Sequence, residues 1–135
     1  MSSLTQDRNT PRRGTPFMVA DTVAAAIMAG AMYTLDATGA AKPAVAADKK
    51  PVRAVCTERI DAGSSDLVKG ERAVFCFENS AGAGEIKRWD IGSNAYVADD
   101  HTVSKTGSSI AGEVIDIDDM GVWVAIGTAA VPTTA

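Results

Sequence analysis

Three neighbouring polar residues in "NAYVADDHTVSK" (94–105) are the first candidates for chemistry in this sequence. Asp99 and Asp100 lie directly beside His101, which is the single histidine of the chain. Carboxylates beside an imidazole can hold a metal ion or can work as a general acid and base. A small metal-dependent hydrolase that uses Asp99, Asp100 and His101 is therefore one hypothesis for the function.

The consecutive spacing of these residues argues for a different interpretation. Adjacent residues of a strand point to opposite faces, so such a triplet converges on one point only if a turn folds it together. A metal site also needs further ligands that are held rigidly nearby. Aspartates accumulate in turns because their side chains bond local backbone groups. The sequence favours a solvated hairpin tip at 99–101, with no catalytic, metal-ligating or cofactor-binding residue assigned and no cofactor expected.

The remaining polar clusters lack the spacing that known sites require. The aspartates in "DIDDMG" do not form the DxDxDG loop with a following glutamate that binds calcium. The serine pairs at 64–65 and 108–109 have no GxSxG elbow around them, and "SAGAGEIK" (80–87) lacks the GxxxxGK[ST] pattern of a phosphate loop. Cys56 and Cys76 have no CxxC spacing and are expected to be buried thiols in strands. These patterns predict polar turns, and the chain is not expected to be an enzyme.

Charge and hydropathy exclude two classes of partner. The chain of 135 residues has a formal net charge of −4, which offers no basic face for nucleic acid. No run approaches the ~20 apolar residues that cross a bilayer, and the N-terminus has no apolar signal core. We expect a protein that is made in the cytoplasm and binds neither nucleic acid nor membrane.

The sequence divides into an arm, a body and a tail. Residues 1–16, "MSSLTQDRNTPRRGTP", are poor in apolar residues, and residues 128–135 are similarly unable to fold alone. The arm is basic while the body, residues 17–127, is acidic. Ends without a core usually become ordered on something else, so we expect a partner subunit to hold the arm. Arg8, Arg12 and Arg13 are the candidate contact residues, pairing with carboxylates of a neighbour while the arm backbone adds to a sheet edge.

Short apolar runs separated by turn signals every ~8 to 12 residues predict that the body is a β-barrel or β-sandwich. The fold class is mainly β, with short antiparallel strands and an extended N-terminal arm. Strands are predicted at 52–60, 73–78, 110–117 and 121–127. The "DDMG" turn at 118–121 should join 110–117 and 122–126 as an antiparallel hairpin, and turns are also predicted at 36–39 and 68–70.

Two further predictions concern packing and local structure. The segment 21–32 has helix-forming alanines, but Gly30, Thr22 and Val23 favour an extended segment with a turn. The core must be built from small aliphatic residues and a few aromatic anchors, because aromatic residues make up only 5% of the chain. The predicted anchors are Tyr33, Phe75, Phe77, Trp89, Tyr96 and Trp123.

The sequence contains a weak internal echo. Residues 27–43 and 52–63 resemble residues 90–105 and 110–121, since each half has a glycine shortly before a tyrosine, an acidic turn and a valine-bearing strand. The pattern is that of two related β-units. In this alignment Asp36 corresponds to the region of Asp99, and the first half has no histidine there.

Residues 22–127 resemble the head decoration, or capsid cement, proteins of tailed bacteriophages. In that family a tryptophan or similar residue precedes a G-x-x-x-Y-V segment, and a short turn and an x-x-G-x-V strand then lead into a closing hairpin. The positions that fit are Trp89, Gly92, Tyr96, Val97, Gly112, Val114 and Val124. The arm lies outside the resemblance.

The resemblance implies a structural protein of the virion. Such proteins cluster as trimers on the exterior of an icosahedral shell, bridge neighbouring major capsid subunits and have no catalytic residues. The major capsid protein is then the partner, and the chain would stabilise the mature head by binding the assembled lattice but not its dissociated subunits. The alternative from a related class is a tail or baseplate adaptor, or another oligomeric β interaction module.

Overall fold

Ten short strands and three single-turn 3₁₀ helices form the regular structure of the computed structural model, which describes Gln6 and residues 17–126. The first five strands are β1 (Phe17–Asp21), β2 (Met32–Leu35), β3 (Ala41–Pro43), β4 (Ala54–Cys56) and β5 (Val68–Arg72). The second five are β6 (Val74–Asn79), β7 (Asn94–Val97), β8 (Thr102–Ser104), β9 (Ile110–Asp118) and β10 (Gly121–Ile126). The predicted mainly β class, with short and mostly antiparallel strands, is confirmed.

The first unit is a sheet of order β1-β5-β4-β2-β3 that curls back on itself. Just after β1, Ala24 N–H donates to Ala41 of β3 at 2.8 Å, and Ala41 N–H donates to Thr22 at 2.7 Å. This parallel contact covers the free edge of β3. One face of the curled sheet forms a hydrophobic cluster with the segments before β2 and after β4, made of Val19, Ile27, Ala31, Tyr33, Ala41, Ala54, Cys56, Ile60 and Val68.

The second unit is a closed barrel of order β10-β6-β8-β7-β9. Closure removes the free strand edges on which other chains could pair. The barrel strands contribute alternating apolar residues to a second core, including Phe77, Ala95, Val97, Val103, Val114, Val122 and Val124. The aliphatic composition of the sequence therefore fills a small barrel whose diameter leaves room for side chains only.

The two units share one topology, and this agrees with the internal echo. In each unit a central strand, β2 or β7, pairs antiparallel with the next two strands along the chain. The last strand, β5 or β10, then pairs antiparallel with both the fourth and the first strand of its unit. The third strand of each unit also has a parallel contact with the first strand or the residues just after it. In the first unit Val23, which follows β1, pairs with Ala41 of β3, and in the second unit β6 pairs with β8. Two related β-units follow one another along the chain.

The units pack together through the back of the first sheet. Met32, Val52 and Val55 of the first unit belong to the barrel core. Met32 N–H donates to the carbonyl of Asp100 at 2.8 Å, and Val52 N–H donates to that of Ile110 at 2.8 Å. These contacts fix the barrel to the sheet on the face opposite the first cluster.

Most of the predicted strands are present in the structure. The segments 73–78 and 110–117 are confirmed as β6 and β9, and 121–127 is confirmed as β10 up to Ile126, the last of the described residues. β9 and β10 form the predicted antiparallel hairpin. The strand predicted at 52–60 is confirmed only for Ala54–Cys56. The turn predicted at 68–70 is wrong, because these residues begin β5 and Gly70 lies under the Tyr33 ring. The segment 21–32 is extended, as predicted, and turns at Gly30, which has a φ of +87°.

The predicted aromatic anchors divide into buried and exposed residues. Tyr33 and Phe77 are buried, and Phe75 packs against the barrel core. Tyr96 and Trp123 are only half-buried. The prediction for Trp89 is wrong, because it is 78% exposed on the 3₁₀ helix Arg88–Asp90. The flanking Arg88 and Asp90 hold this turn on the surface, and aliphatic residues fill the core in its place. None of the helices within the described residues is long and apolar enough to span a membrane.

Candidate functional site

The Asp99–His101 stretch lies in the connection between β7 and β8. The backbone N–H of His101 donates to Asp99 Oδ1 at 2.9 Å, which is the bond of an Asx turn. The carbonyl of Asp100 accepts from Met32 of the first unit, and the carbonyl of His101 accepts from Glu78 N–H at 3.0 Å. The sequence triplet is thus folded together by a turn, and that turn is anchored on both sides by backbone bonds.

The imidazole of His101 is placed between carboxylates. Its Nδ1 lies 2.9 Å from Asp100 Oδ1 and 3.1 Å from Asp99 Oδ1, while Nε2 lies 3.3 Å from Glu78 Oε2. The side chain of His101 is 59% exposed. The sequence did not predict Glu78 as a member of this cluster, because it comes from β6, more than 20 positions earlier in the chain.

The carboxylates shift the titration of the ring. The hydrogen bond with Asp100 raises the pKa of His101, and the charges of Asp99, Asp100 and Glu78 act in the same direction. Burial alone would raise the pKa of Asp99, but the hydrogen bonds from His101 N–H and Thr102 and the imidazolium charge lower it. The arrangement stabilises an imidazolium among carboxylates.

The equivalent turn of the first unit has the same backbone design without a histidine. Between β2 and β3, the N–H of Thr38 donates to Asp36 Oδ1 at 2.8 Å, and the Thr38 hydroxyl donates to the same oxygen at 2.7 Å. Asp36 therefore has the role that Asp99 has in the second unit, as the echo predicts. The shared feature of the two stretches is an acidic turn, and the histidine is an addition to it.

This turn is the place in the described residues where potential metal ligands gather. Ligand atoms of Asp99, Asp100 and His101 lie within 4.8 Å of one another. An ion bound there would have to displace the hydrogen bonds between His101 Nδ1 and the carboxylates. The geometry suits local ion pairing on the surface.

The "DIDDMG" aspartates have structural contacts in the β9–β10 hairpin. Asp118 accepts from Met120 N–H at 2.9 Å and from the indole Nε1–H of Trp123 at 3.0 Å. Asp116 accepts from Ile117 N–H at 2.8 Å and lies 3.5 Å from the guanidinium of Arg88. The predicted polar turn is confirmed.

The serine and cysteine candidates are likewise explained by local structure. Ser109 is fully buried and donates to the carbonyl of Ala46 at 3.0 Å, and it accepts from Lys49 N–H at 2.8 Å. Cys56 is buried and Cys76 is half-buried, both in strands. Burial raises the pKa of both thiols, so neither is activated as a nucleophile.

The predicted contact residues of the arm are not placed. Arg8, Arg12 and Arg13 lie outside the described residues, and the tail 128–135 does so too. Their predicted role stays a prediction.

Sequence reasoning missed a group of exposed apolar side chains at one end of the barrel, here called the hairpin patch: Trp89, Ile91, Ile115 and Met120. Arg88 Nη1 donates to the carbonyl of Ile117 at 2.9 Å, which sets the Trp89 turn against the end of β9. Gly92 N–H donates to the carbonyl of Val114 at 2.9 Å, which places the segment after Trp89, including Ile91, against the strand that carries Ile115. Met120 follows in the hairpin loop and is 74% exposed.

The hairpin patch has a mixed but mainly acidic surround. The ammonium of Lys87 lies 5.8 Å from the centre of the Trp89 ring, and Arg88 is paired with Asp116. Asp118 and Asp119 continue the acidic side along the hairpin loop. The signal in the sequence was a tryptophan between two charged residues, outside any alternating apolar run.

Comparisons of the chain with family models, with curated proteins and with solved structures found no match.

Proposed function

We propose that the chain is a structural protein of a tailed-phage virion that binds the outer surface of the capsid and cements neighbouring major capsid subunits. The observation that carries this proposal is the hairpin patch, in which Trp89 is 78% exposed. Apolar groups that are clustered on a surface and surrounded by polar residues mark sites of protein contact. The sequence resemblance to head decoration proteins suggests the partner, which is the major capsid protein.

The composition of the hairpin patch suits a protein partner. Tryptophan is enriched among the residues that dominate binding energy in interfaces, and methionine adapts to irregular partner surfaces. Burying a large apolar side chain contributes about 1.5 to 3 kcal/mol. Trp89 and Met120 together can therefore supply the centre of a modest interface, with the charged residues as its polar surround.

The fold supports this role because it holds the patch rigidly. The short 3₁₀ helix with Trp89 is bonded to β9, and β9 is part of a closed barrel. A rigid surface loses little conformational entropy on binding. A protein that binds only the assembled lattice adds its binding free energy to the shell, and many copies on a symmetric array multiply the effect.

Co-sedimentation with undecorated heads of the encoding phage tests the role of the hairpin patch. Wild-type chain should pellet with the heads, and Trp89→Ala should weaken the apparent Kd by at least about tenfold, because truncation of a central interface tryptophan costs ~2 kcal/mol or more. Leu67→Ala is the matched control, since Leu67 is a half-exposed apolar residue of the first unit.

Equal binding by the Trp89 and Leu67 variants would remove the hairpin patch from the proposal. Rings or discs of purified chain that ignore heads would instead favour the tail or baseplate adaptor.

A further inference from the structure

The acidic side of the hairpin patch defines the chemistry of what can dock there. Asp116, Asp118 and Asp119 follow one another along the end of β9 and the hairpin loop, next to the exposed Met120. Asp119 is exposed. A ligand that combines cationic groups with a flat or apolar backbone would satisfy both the carboxylates and the indole of Trp89.

One segment of this same chain has that chemistry. Residues 1–16 contain Arg8, Arg12 and Arg13 against a single Asp7, and two of the arginines stand in "TPRRGTP" between Pro11 and Pro16. Proline-containing extended segments dock on aromatic surfaces at low entropic cost. Arginine stacks on tryptophan and pairs with carboxylates through its planar fork.

The length of the segment allows contact between copies. A chain of 16 residues spans up to ~50 Å when extended. A body of this size has a diameter of ~35 Å. The arm enters β1 of the first unit at Phe17, whereas the hairpin patch lies on the barrel of the second unit. An arm that reaches another copy therefore joins the first unit of one molecule to the second unit of the next, which is the geometry of a head-to-tail ring.

We propose that the hairpin patch is the docking site for residues 1–16 of a second copy of this chain, with Arg12 and Arg13 directed to the Asp116–Asp119 side and the proline segment over Trp89. This inference rests on the proposed function: with the arm of a neighbouring copy on it, the hairpin patch contributes to capsid binding by linking copies on the shell. Copies that are linked in this way would bind a shell as a connected net, so that each copy raises the effective concentration of its neighbours.

Sedimentation velocity of the purified full-length chain, without capsids, tests the inference. Wild-type chain should form oligomers that dissociate on dilution and at high salt, because the contact includes ion pairs. Trp89→Ala and Asp119→Lys should each weaken association by at least about tenfold. Leu67→Ala, which also truncates an exposed apolar side chain, and Asp66→Lys, which makes the same charge reversal, should leave association unchanged, because both residues lie in the first unit.

A charge exchange makes the test specific for the arm. Asp119→Lys combined with Arg12→Glu and Arg13→Glu should recover a clear part of the association that either change alone removes, since opposite charges again face one another. The far-ultraviolet circular dichroism of every variant should match that of the wild type, so that unfolding does not imitate dissociation.

Three results would overturn the inference: a wild-type chain that stays monomeric at all concentrations, unchanged association in the Trp89 and Asp119 variants, or no recovery in the charge exchange. The proposed function fails separately. A chain that associates through its arm but ignores heads would contradict only the capsid role, and a monomeric chain that binds heads would contradict only this inference.

Discussion

At the scale of single residues, Tyr33 and Tyr96 occupy equivalent positions in the two units but make different contacts. Tyr33 is fully buried in the first unit, and its hydroxyl donates to Asp21 Oδ2 at 2.8 Å. Asp21 also accepts from Arg53 at 3.1 Å through both Nε and Nη2. Burial strongly raises the pKa of Tyr33, and the hydrogen bond to Asp21 adds to the effect. The neutral Tyr33 phenol and the Arg53 guanidinium thus both bind the Asp21 carboxylate, which fixes the end of β1 to the rest of the first unit.

Tyr33→Phe should destabilise the chain by about 1.5 to 3 kcal/mol, because it removes a buried hydrogen bond to a charged acceptor. Urea unfolding followed by circular dichroism measures the change. Tyr96→Phe is the matched control, since the Tyr96 hydroxyl makes no hydrogen bond within the described residues. A loss of equal size in both variants would contradict this role of Tyr33.

His101 gives the pH dependence at the same scale. The folded pKa of His101 lies above its ordinary value of 6.5, so the stabilisation is fully present below pH 6.5 and is lost as the pH rises through the folded pKa. His101→Asn should therefore cost stability in mildly acid solution and none well above the folded pKa. The cost should stay below about 1 kcal/mol, because the pairs are exposed.

Unfolding of the wild type and of His101→Asn across pH measures this difference, and NMR titration of the imidazole measures the pKa directly. A difference in stability that grows towards alkaline pH, or an imidazole pKa below 6.5, would contradict the ion-pair cluster.

At the scale of elements, the 3₁₀ helix Ala46–Asp48 joins the two units. Asp48 accepts from Lys42 Nζ at 2.6 Å and from the buried hydroxyl of Thr34 at 2.9 Å, which holds the helix on the first sheet. Ser109, just before β9, holds the other side through Ala46 and Lys49. A single turn of helix is thus bonded to both units, although within residues 17–126 no strand of one unit pairs with a strand of the other.

Ser109→Ala should lower stability by about 1 kcal/mol, because it removes the hydrogen bonds that the fully buried Ser109 hydroxyl makes with Lys49 N–H and the Ala46 carbonyl. Hydrogen exchange should show reduced protection at Lys49. Ser108→Ala is the control, because the exposed Ser108 also bonds Ala46, at 3.1 Å, but can be replaced there by water. An effect as large for Ser108 as for Ser109 would exclude burial as the cause.

The elements also show what the sequence could predict. The hairpin β9–β10 was predictable because an acidic turn ending in Gly121 separates two alternating runs. The prediction of a turn at 68–70 depended on Gly70 and is wrong, because Gly70 lies within β5. A Cβ on Gly70 would come within 2.9 Å of the Tyr33 ring, so this glycine serves close packing between strands. Such a need depends on a residue that is 37 positions away, and no local pattern reports it.

The candidate sites follow the same distinction. The Asx turn at Asp99 was predictable from local residue types, whereas the approach of Glu78 to His101 depends on the parallel pairing of β6 with β8. Trp89 was predicted as a core residue because tryptophan is usually buried. Its exposure follows from the bonds of the neighbouring Arg88 with β9, which are also non-local.

At the scale of the whole molecule, two related β-units pack into one body, and the hairpin patch is exposed on the second unit. Met32 and Val55 pack into the barrel core, so the two units share one hydrophobic core. Many of the exposed carboxylates lie in turns, and the hairpin patch is the surface that the sequence did not predict. We propose that this surface and the arm together carry the capsid role.

Cryo-electron microscopy of undecorated phage heads mixed with the purified chain tests the central proposal most directly. The proposal predicts added density on the outer face of the shell, where it bridges neighbouring major capsid subunits. With Trp89→Ala in place of the wild type, the occupancy of that density should fall. Heads that show no added density at saturating concentrations of the wild-type chain would contradict the proposal.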